Sequence, residues 1–336
     1  MKSIRLLSVS LSLLGLAASP VARAVEILNA SYDISRELFV ALNAAFEPAY
    51  KASRGEAVAV KQSHAGSSRQ ARSILEGLKA DVVTFNQVTD VQLLADKTFV
   101  AADWTARYPH AASPYYSVHS ILVRKGNPKG IRDWADLAKP GVGIVQVNPK
   151  TGGNGRYAVL AYYAAALDAA GGDEAKARAF LKQVLANVVV FESGGRTATS
   201  TFTEREIGDV LVTFEAETLS LAKDPRYEVV TPSVSILSEF PVAVVDKVAK
   251  KRGTAGIADA YLKFLYTPEA QEIIAANFYR PRNAEVASRH AASLTPVKIL
   301  EVGAVFGGWE KAAKTFFDNG ALVDTLLKEV AAERIN

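Results

Sequence analysis

Apolar and polar positions along this chain alternate between two periods. Residues 25–31, 57–62, 81–85, 142–147, 188–191 and 209–214 are short apolar or alternating runs rich in Val and Ile, the pattern of β-strands. Residues 119–125 add one more such run, closed by Gly126-Asn127-Pro128. Between them the period lengthens to that of helices. Leu38 to Leu42 with Ala44, Ala45 and Phe46, then 71–78, 88–94, 158–170 and 174–186, place apolar residues on one face or on all faces. A helix carrying Phe202, Arg205 and Ile207 follows residues 192–199, and Glu215-Ala216-Glu217 opens another. Residues 227–232 and 241–246 read as a pair of extended segments. After them 257–266, 268–278 (behind Thr267 as cap) and 310–317 read as helices. Strand followed by helix, repeated throughout, predicts an α/β chain in two lobes. The first lobe takes residues 25–118, the second 119–240, and residues 241–336 return to the first lobe and add C-terminal helices.

The turns between these elements carry the chemistry. Four times a strand runs through small or hydroxyl residues into a helix: at Asp33, at Ser67, at Gly152-Gly153-Asn154 and at Gly195. A helix N-terminus leaves its first backbone N–H groups without partners, which makes it an anion site. Each turn alone has a plainer reading. Asp33 stands where an N-cap belongs, and glycine serves backbone geometry in many strand-to-helix turns. Four in one chain, if the lobes face each other, can converge on one small anion.

Composition narrows the compartment and the chemistry. Lys2 and Arg5 precede an apolar stretch over 6–18, and Ala22-Arg23-Ala24 gives a small-x-small cleavage pattern. Residues 1–24 are therefore expected to be a signal peptide cleaved after Ala24, which makes the protein periplasmic. The formal net charge of +4 includes Lys2, Arg5 and Arg23 of that leader, so the remainder is close to neutral. It holds no basic block of the kind that binds nucleic acid. With no cysteine, disulfides, thiol catalysis, thiolate metal sites and a lipid-anchored cysteine are all excluded.

Other motifs are incomplete. Gly153-Asn154-Gly155-Arg156-Tyr157-Ala158 fits G-x-G-x-x-A, but the acidic residue expected about twenty positions on would be Asp173, which lies in a turn. A P-loop needs G-K-[ST], and Gly155 is followed by Arg156 and Tyr157. His64, His110, His119 and His290 lack metal-ligand spacing. His64 with Ser67 has neither a nucleophile elbow nor a marked orienting carboxylate, leaving ester hydrolysis as a minor alternative.

Several segments together resemble the periplasmic sulfate- and thiosulfate-binding proteins of ABC importers. They include Asn29-Ala-Ser-Tyr-Asp33, Ser63-His-Ala-Gly-Ser67, Asn148-Pro-Lys-Thr151, Ile207-Gly-Asp-Val-Leu211, Phe278-Tyr-Arg-Pro-Arg282 and Phe306-Gly-Gly-Trp309. The resemblance implies a two-lobed periplasmic binding protein fold of type II, each lobe a mixed sheet flanked by helices, with the anion in the cleft. It implies a monomeric binding protein, not an enzyme, with no cofactor and no metal, that delivers sulfate or thiosulfate to membrane permease subunits. Another tetrahedral oxyanion, such as molybdate, is the alternative ligand.

The implied contacts are backbone N–H groups at Asp33, Ser67, Gly153, Asn154 and Gly195, with the Ser67 hydroxyl. The chain departs from the sulfate branch at Gly152, where a serine is usual, at Asn154, where a glycine is usual, and at Phe214, where a tryptophan is usual. The Asn154 amide is expected to restore one donor. Phe214 offers an apolar wall suited to the sulfur of thiosulfate. Arg196 is expected either to add charge or to form a surface or inter-lobe ion pair, with Glu215 holding Arg196 or a backbone donor.

Overall fold

The computed structural model describes residues 24–335. The expected signal peptide lies outside the described residues except for its last position, Ala24. None of the helices described is long and apolar enough to cross a membrane.

Two mixed sheets organise the molecule. In the first, Val25–Ser31 lies between Val58–His64 and Val82–Thr84, parallel to both, and Val242–Val244 adds an antiparallel edge. In the second, the order is Val188–Glu192, Ile144–Val147, Val210–Phe214, His119–Arg124, Tyr227–Val230. The inner strands Ile144–Val147 and Val210–Phe214 are buried along their whole length. That burial accounts for their continuous apolar sequence, because helices cover both faces. The Gly153–Ala169 helix is likewise apolar all round, and Tyr157 to Ala164 are all buried.

A small antiparallel sheet links the two lobes. Tyr115–Ser117 pairs with Ser238–Glu239 and with Arg280–Pro281, just before the chain enters one large sheet at His119 and the other at Val242. The expected pairing of 227–232 with 241–246 does not occur. Tyr227–Val230 pairs with His119–Arg124, and Val242–Val244 with Val82–Thr84, because the two segments fall on opposite sides of the crossing. A later passage returns to the second lobe. Lys298–Leu300 pairs with Val234–Ile236, and the Leu322–Ile335 helix lies on Glu174–Ala186, held by Arg178–Glu329 and Lys182–Glu333 ion pairs.

Two helix boundaries differ from the sequence pattern. The helix expected at 158–170 starts at Gly153, so the glycine turn is its first turn and only Gly152 remains extended. The helix expected to reach Ile207 stops at Thr203. Ile207 N–H turns back to Thr201 O, and Glu206 takes a positive φ of 54° ahead of Gly208.

The close fit of the Gly153–Ala169 helix on strand Ile144–Val147 depends on Gly155. A Cβ there would run into the Val147 carbonyl oxygen and lie 2.8 Å from Pro149 N, both fixed backbone. Gly155→Ala is therefore expected to cost about 3 kcal/mol of unfolding free energy, as overpacking does. Urea denaturation followed by circular dichroism measures this, and an unchanged midpoint would contradict the close packing.

Candidate functional site

Each of the four turns stands at the carboxyl end of a strand. Val25–Ser31 leads into the Asp33–Ser35 turn and the Arg36–Arg54 helix, and Val58–His64 into Ser67–Leu75. Ile144–Val147 leads into Gly153–Ala169, and Val188–Glu192 into Gly195–Thr203. Two come from each lobe, and Gly66 and Gly152 as N-caps supply no side-chain acceptor to their helices. Their first N–H groups are left for a partner from outside the helix.

The structure brings these turns together. A Cβ on Gly153 would stand 2.8 Å from Asn86 Oδ1 and from Gln87 Cβ of the first lobe. One on Gly194 would stand 2.6 Å from Asp33 Oδ2, and one on Gly195 2.7 Å from Ile34 Cγ2. Gly66 in turn faces Thr151 O and Ser193 O at 3.9 and 4.0 Å from its Cβ position. A side chain at 153, 194 or 195 would prop the lobes apart.

Asp33 does not cap its own long helix. The three-residue turn inserted after Tyr32 separates it from Arg36–Arg54, whose N-cap is Ser35. Its Oδ1 accepts from the adjacent Ile34 N–H at 3.1 Å, and its Oδ2 accepts from Arg196 N–H of the other lobe at 3.1 Å. The carboxylate thus sits at the positive end of the Gly195–Thr203 helix. Arg196 reaches back with Nη2 to both Glu37 oxygens, at 2.9 and 3.0 Å, as an inter-lobe ion pair. Both partners are largely exposed, so solvent screens the pair and its contribution is small. On the other side of the cleft, Arg156 Nη1 donates to Thr89 Oγ1 at 3.0 Å.

Glu215 holds neither Arg196 nor a backbone donor across the cleft. It opens the Glu215–Leu221 helix beside Arg280–Pro281, and Arg280 donates to it twice, Nε to Oε2 and Nη2 to Oε1, both at 2.7 Å. Burial raises the Glu215 pKa, and the Arg280 guanidinium opposes the rise. The carboxylate behind the Gly195 helix is Glu217, which accepts from Thr199 Oγ1 at 2.7 Å and feels the charge of Arg196.

Ser67 and Asn154 also differ from expectation. Ser67 Oγ donates to Asn86 Oδ1 at 2.6 Å and accepts from Asn86 N–H at 3.0 Å. Reversing the Asn86 amide would make Nδ2 the donor and free the hydroxyl proton. The Asn154 amide is directed into the second lobe. Nδ2 donates to Thr213 Oγ1 at 2.8 Å and Oδ1 lies 3.1 Å from His119 Nε2, so this side chain does not replace a missing cleft donor. Phe214 is fully buried in a cluster with His119, Phe240 and Tyr157, at ring-centroid distances of 4.6, 5.1 and 6.2 Å. Asn86, His119, Glu217 and Arg280 escaped the sequence reading as site residues. His119 was weighed only as a metal ligand, Glu217 only as part of a helix start and Arg280 only within a resembling segment, and nothing there paired Arg280 with Glu215.

Two lobes joined by short crossings, with helix ends from both facing a cleft, define a solute-binding protein. The chain belongs to the family of bacterial extracellular solute-binding proteins, which it matches over residues 30–280. It is 50% identical to the thiosulfate-binding protein of Escherichia coli K12 over 310 residues, 91% of this chain and 92% of that protein. It is 46% identical to the sulfate-binding protein of the same organism over 324 residues, 95% of this chain and 98% of that protein. Among solved structures, it is similar to the sulfate-binding protein SubI from Mycobacterium tuberculosis. The TM-score is 0.79 at 31% identity, covering 88% of this chain and all of that one. The fold is that of periplasmic binding proteins.

Asp90 lies beneath the Ser67 turn, buried, accepting from Ser68 Oγ at 2.9 and 3.0 Å. Burial lifts its pKa from the ordinary 3.8 to about 6, against the pull of Arg156, the Ser68 hydroxyl and Arg72. A carboxyl raised on folding binds more protons folded than unfolded between those two values, so stability falls as pH rises across that window. From pH 4 to pH 6.5 the wild type is expected to lose on the order of 2 kcal/mol relative to Asp90→Asn. Urea titrations of both proteins across this range check it, and parallel pH profiles would contradict it.

Proposed function

We propose that this protein is the periplasmic binding component of a sulfate/thiosulfate ABC importer. It would carry the desolvated anion as a monomer to membrane permease subunits. The observation that carries this reading is the meeting of four helix N-termini, two from each lobe. Its neighbours among proteins named for binding sulfate and thiosulfate support it. Backbone N–H groups at Asp33, Ser67, Gly153, Asn154 and Gly195 serve as the donors, joined by the Ser67 hydroxyl once Asn86 releases it. No guanidinium or ammonium need touch the ligand. Partial charges of the helix ends neutralise it, and closure strengthens each bond by removing water. Export of the chain through its leader belongs to the same reading.

An all-donor cradle discriminates by protonation state. Hydrogen phosphate carries a proton that would find no acceptor among backbone N–H groups, whereas sulfate and thiosulfate carry none. Between those two, the cradle lacks a hydroxyl at Gly152 and an indole N–H at Phe214, and the Asn154 amide is turned away. Each missing charge-assisted bond weakens binding of a fourth oxygen by roughly 1.5–3 kcal/mol. The sulfur of thiosulfate, a poor acceptor, loses less. Calorimetry on protein refolded free of ligand is expected to show both anions binding, with thiosulfate at least as tight. Sulfate binding without detectable thiosulfate binding would reject the preference, and no binding of either anion would reject the function.

Restoring the hydroxyl requires two changes. A Cβ at Gly152 would lie 2.6 Å from Val147 Cγ1, a buried β-branched side chain in a strand. Gly152→Ser alone is expected to destabilise the protein. Paired with Val147→Ala, it is expected to fold and to bind sulfate about tenfold more tightly, in line with one added bond to a charged acceptor. Unchanged sulfate affinity in the folded double variant would mean that selectivity does not lie in this turn.

A further inference from the structure

His119 lies outside the proposed anion shell, yet it is buried where three parts of the molecule meet. It follows the crossing from Tyr115–Ser117 and opens the strand that enters the second sheet, opposite Phe214. Its backbone N–H donates to Ser235 Oγ at 3.0 Å, and the Ser235 hydroxyl donates to its carbonyl, also at 3.0 Å. Its ring reaches the second crossing segment through Nδ1, 3.3 Å from Ser238 Oγ. Nε2 points to the anion turn, 3.0 Å from Asn154 O and 3.1 Å from Asn154 Oδ1.

A backbone carbonyl only accepts, so Nε2 carries the proton and Nδ1 receives the Ser238 hydroxyl. Burial lowers the pKa of the ring to about 4, which keeps it neutral near pH 7. The Nε2 proton is shared between Asn154 O and Asn154 Oδ1, so the Asn154 amide is engaged at both ends, Oδ1 by His119 and Nδ2 by Thr213. Asn154 is the second residue of its helix, where the backbone N–H is free. We propose that His119 is a positioning residue for anion selection. By holding the Asn154 amide inside the second lobe, it makes the Gly152–Asn154 turn present backbone donors alone.

The inference rests on the proposed anion function and adds what the Gly152–Asn154 turn offers the anion. Without the His119 proton, Asn154 Oδ1 is a buried acceptor with no donor, a costly state. Rotation of the side chain toward the cleft relieves it and brings two N–H donors to the side where a fourth oxygen would bind. A ligand with four equivalent oxygens gains from this more than one with three oxygens and a sulfur.

Calorimetry with sulfate and thiosulfate on His119→Met, His119→Gln, Asn154→Gly and the His119→Met/Asn154→Gly double variant tests the proposal. His119→Met is expected to shift the sulfate-to-thiosulfate affinity ratio toward sulfate by about tenfold. His119→Gln, whose Nε2 can supply the same donor, is expected to rescue the original ratio. The shift is expected to vanish when Asn154 is glycine. An unchanged ratio in His119→Met, equal changes in both affinities, or a shift that persists without the Asn154 side chain would each overturn it. Nitrogen-15 NMR gives a readout that does not need an anion. The wild type and His119→Gln are expected to show a slowly exchanging Asn154 side-chain amide, and His119→Met to lose it. Retention of that protection in His119→Met, or an Nδ1–H tautomer of His119 in the wild type, would overturn the inference even if neither anion binds.

Discussion

The first N–H groups of a helix cannot be satisfied within that helix, and this protein directs four such ends into one cleft. That constraint explains much of the surrounding structure. Helix ends face the cleft because each follows the carboxyl end of a strand in one of two facing sheets. Closure lets the lobes answer one another's unpaired groups. Asp33 accepts from the N-terminus of the opposite helix at Arg196, while Arg196 and Arg156 reach Glu37 and Thr89 of the first lobe. The exposed contacts among these are individually weak, which suits a joint that must open. The Glu215–Arg280 pair is of a different kind. It is buried and bidentate, and it ties the second lobe to a strand of the linking sheet, where loss of one partner would strand a charge.

Glycines make the approach of the lobes possible, and they act in two ways. Gly153, Gly194 and Gly195 keep the space between the lobes clear of side chains. Gly152 and Gly155 act within the second lobe, where they let the helix start directly against Val147. None of these five glycines has a positive φ, so close approach rather than backbone conformation accounts for them.

Much of this was legible in the sequence. Strand, small-residue turn and helix recur at Asp33, Ser67, Gly152 and Gly195, and local pattern suffices to find them. What was not legible is where the side chains at those turns point. Asp33 looked like a cap for the helix that follows it, but an inserted turn directs it across the cleft. Glu215 was expected to hold Arg196 or a backbone donor, whereas its partner, Arg280, lies 65 residues on, brought close by the linking sheet. Asn154 was expected to restore a cleft donor through its amide, since it stands where the resemblance has a glycine. His119 and Thr213, on strands distant in sequence but adjacent in the sheet, draw its amide inward. Sequence separation hides such partners from any reading based on local period.

The three positions that the resemblance marks as departures, Gly152, Asn154 and Phe214, are held by two separate packings. Val147 fills the space that a side chain at position 152 would need, so a serine there is incompatible with this strand residue. Phe214 lies opposite His119 in the sheet register, and their rings pack at 4.6 Å. The same histidine holds the Asn154 amide away from the cleft. Val147 therefore stands against a side chain at position 152, while His119, Asn154 and Phe214 form a second contact set that holds the amide inward and packs the phenyl ring. On the proposed function, anion preference would be a property of these two packings together, and a single donor added at the surface of the cleft would meet resistance from the residues behind it.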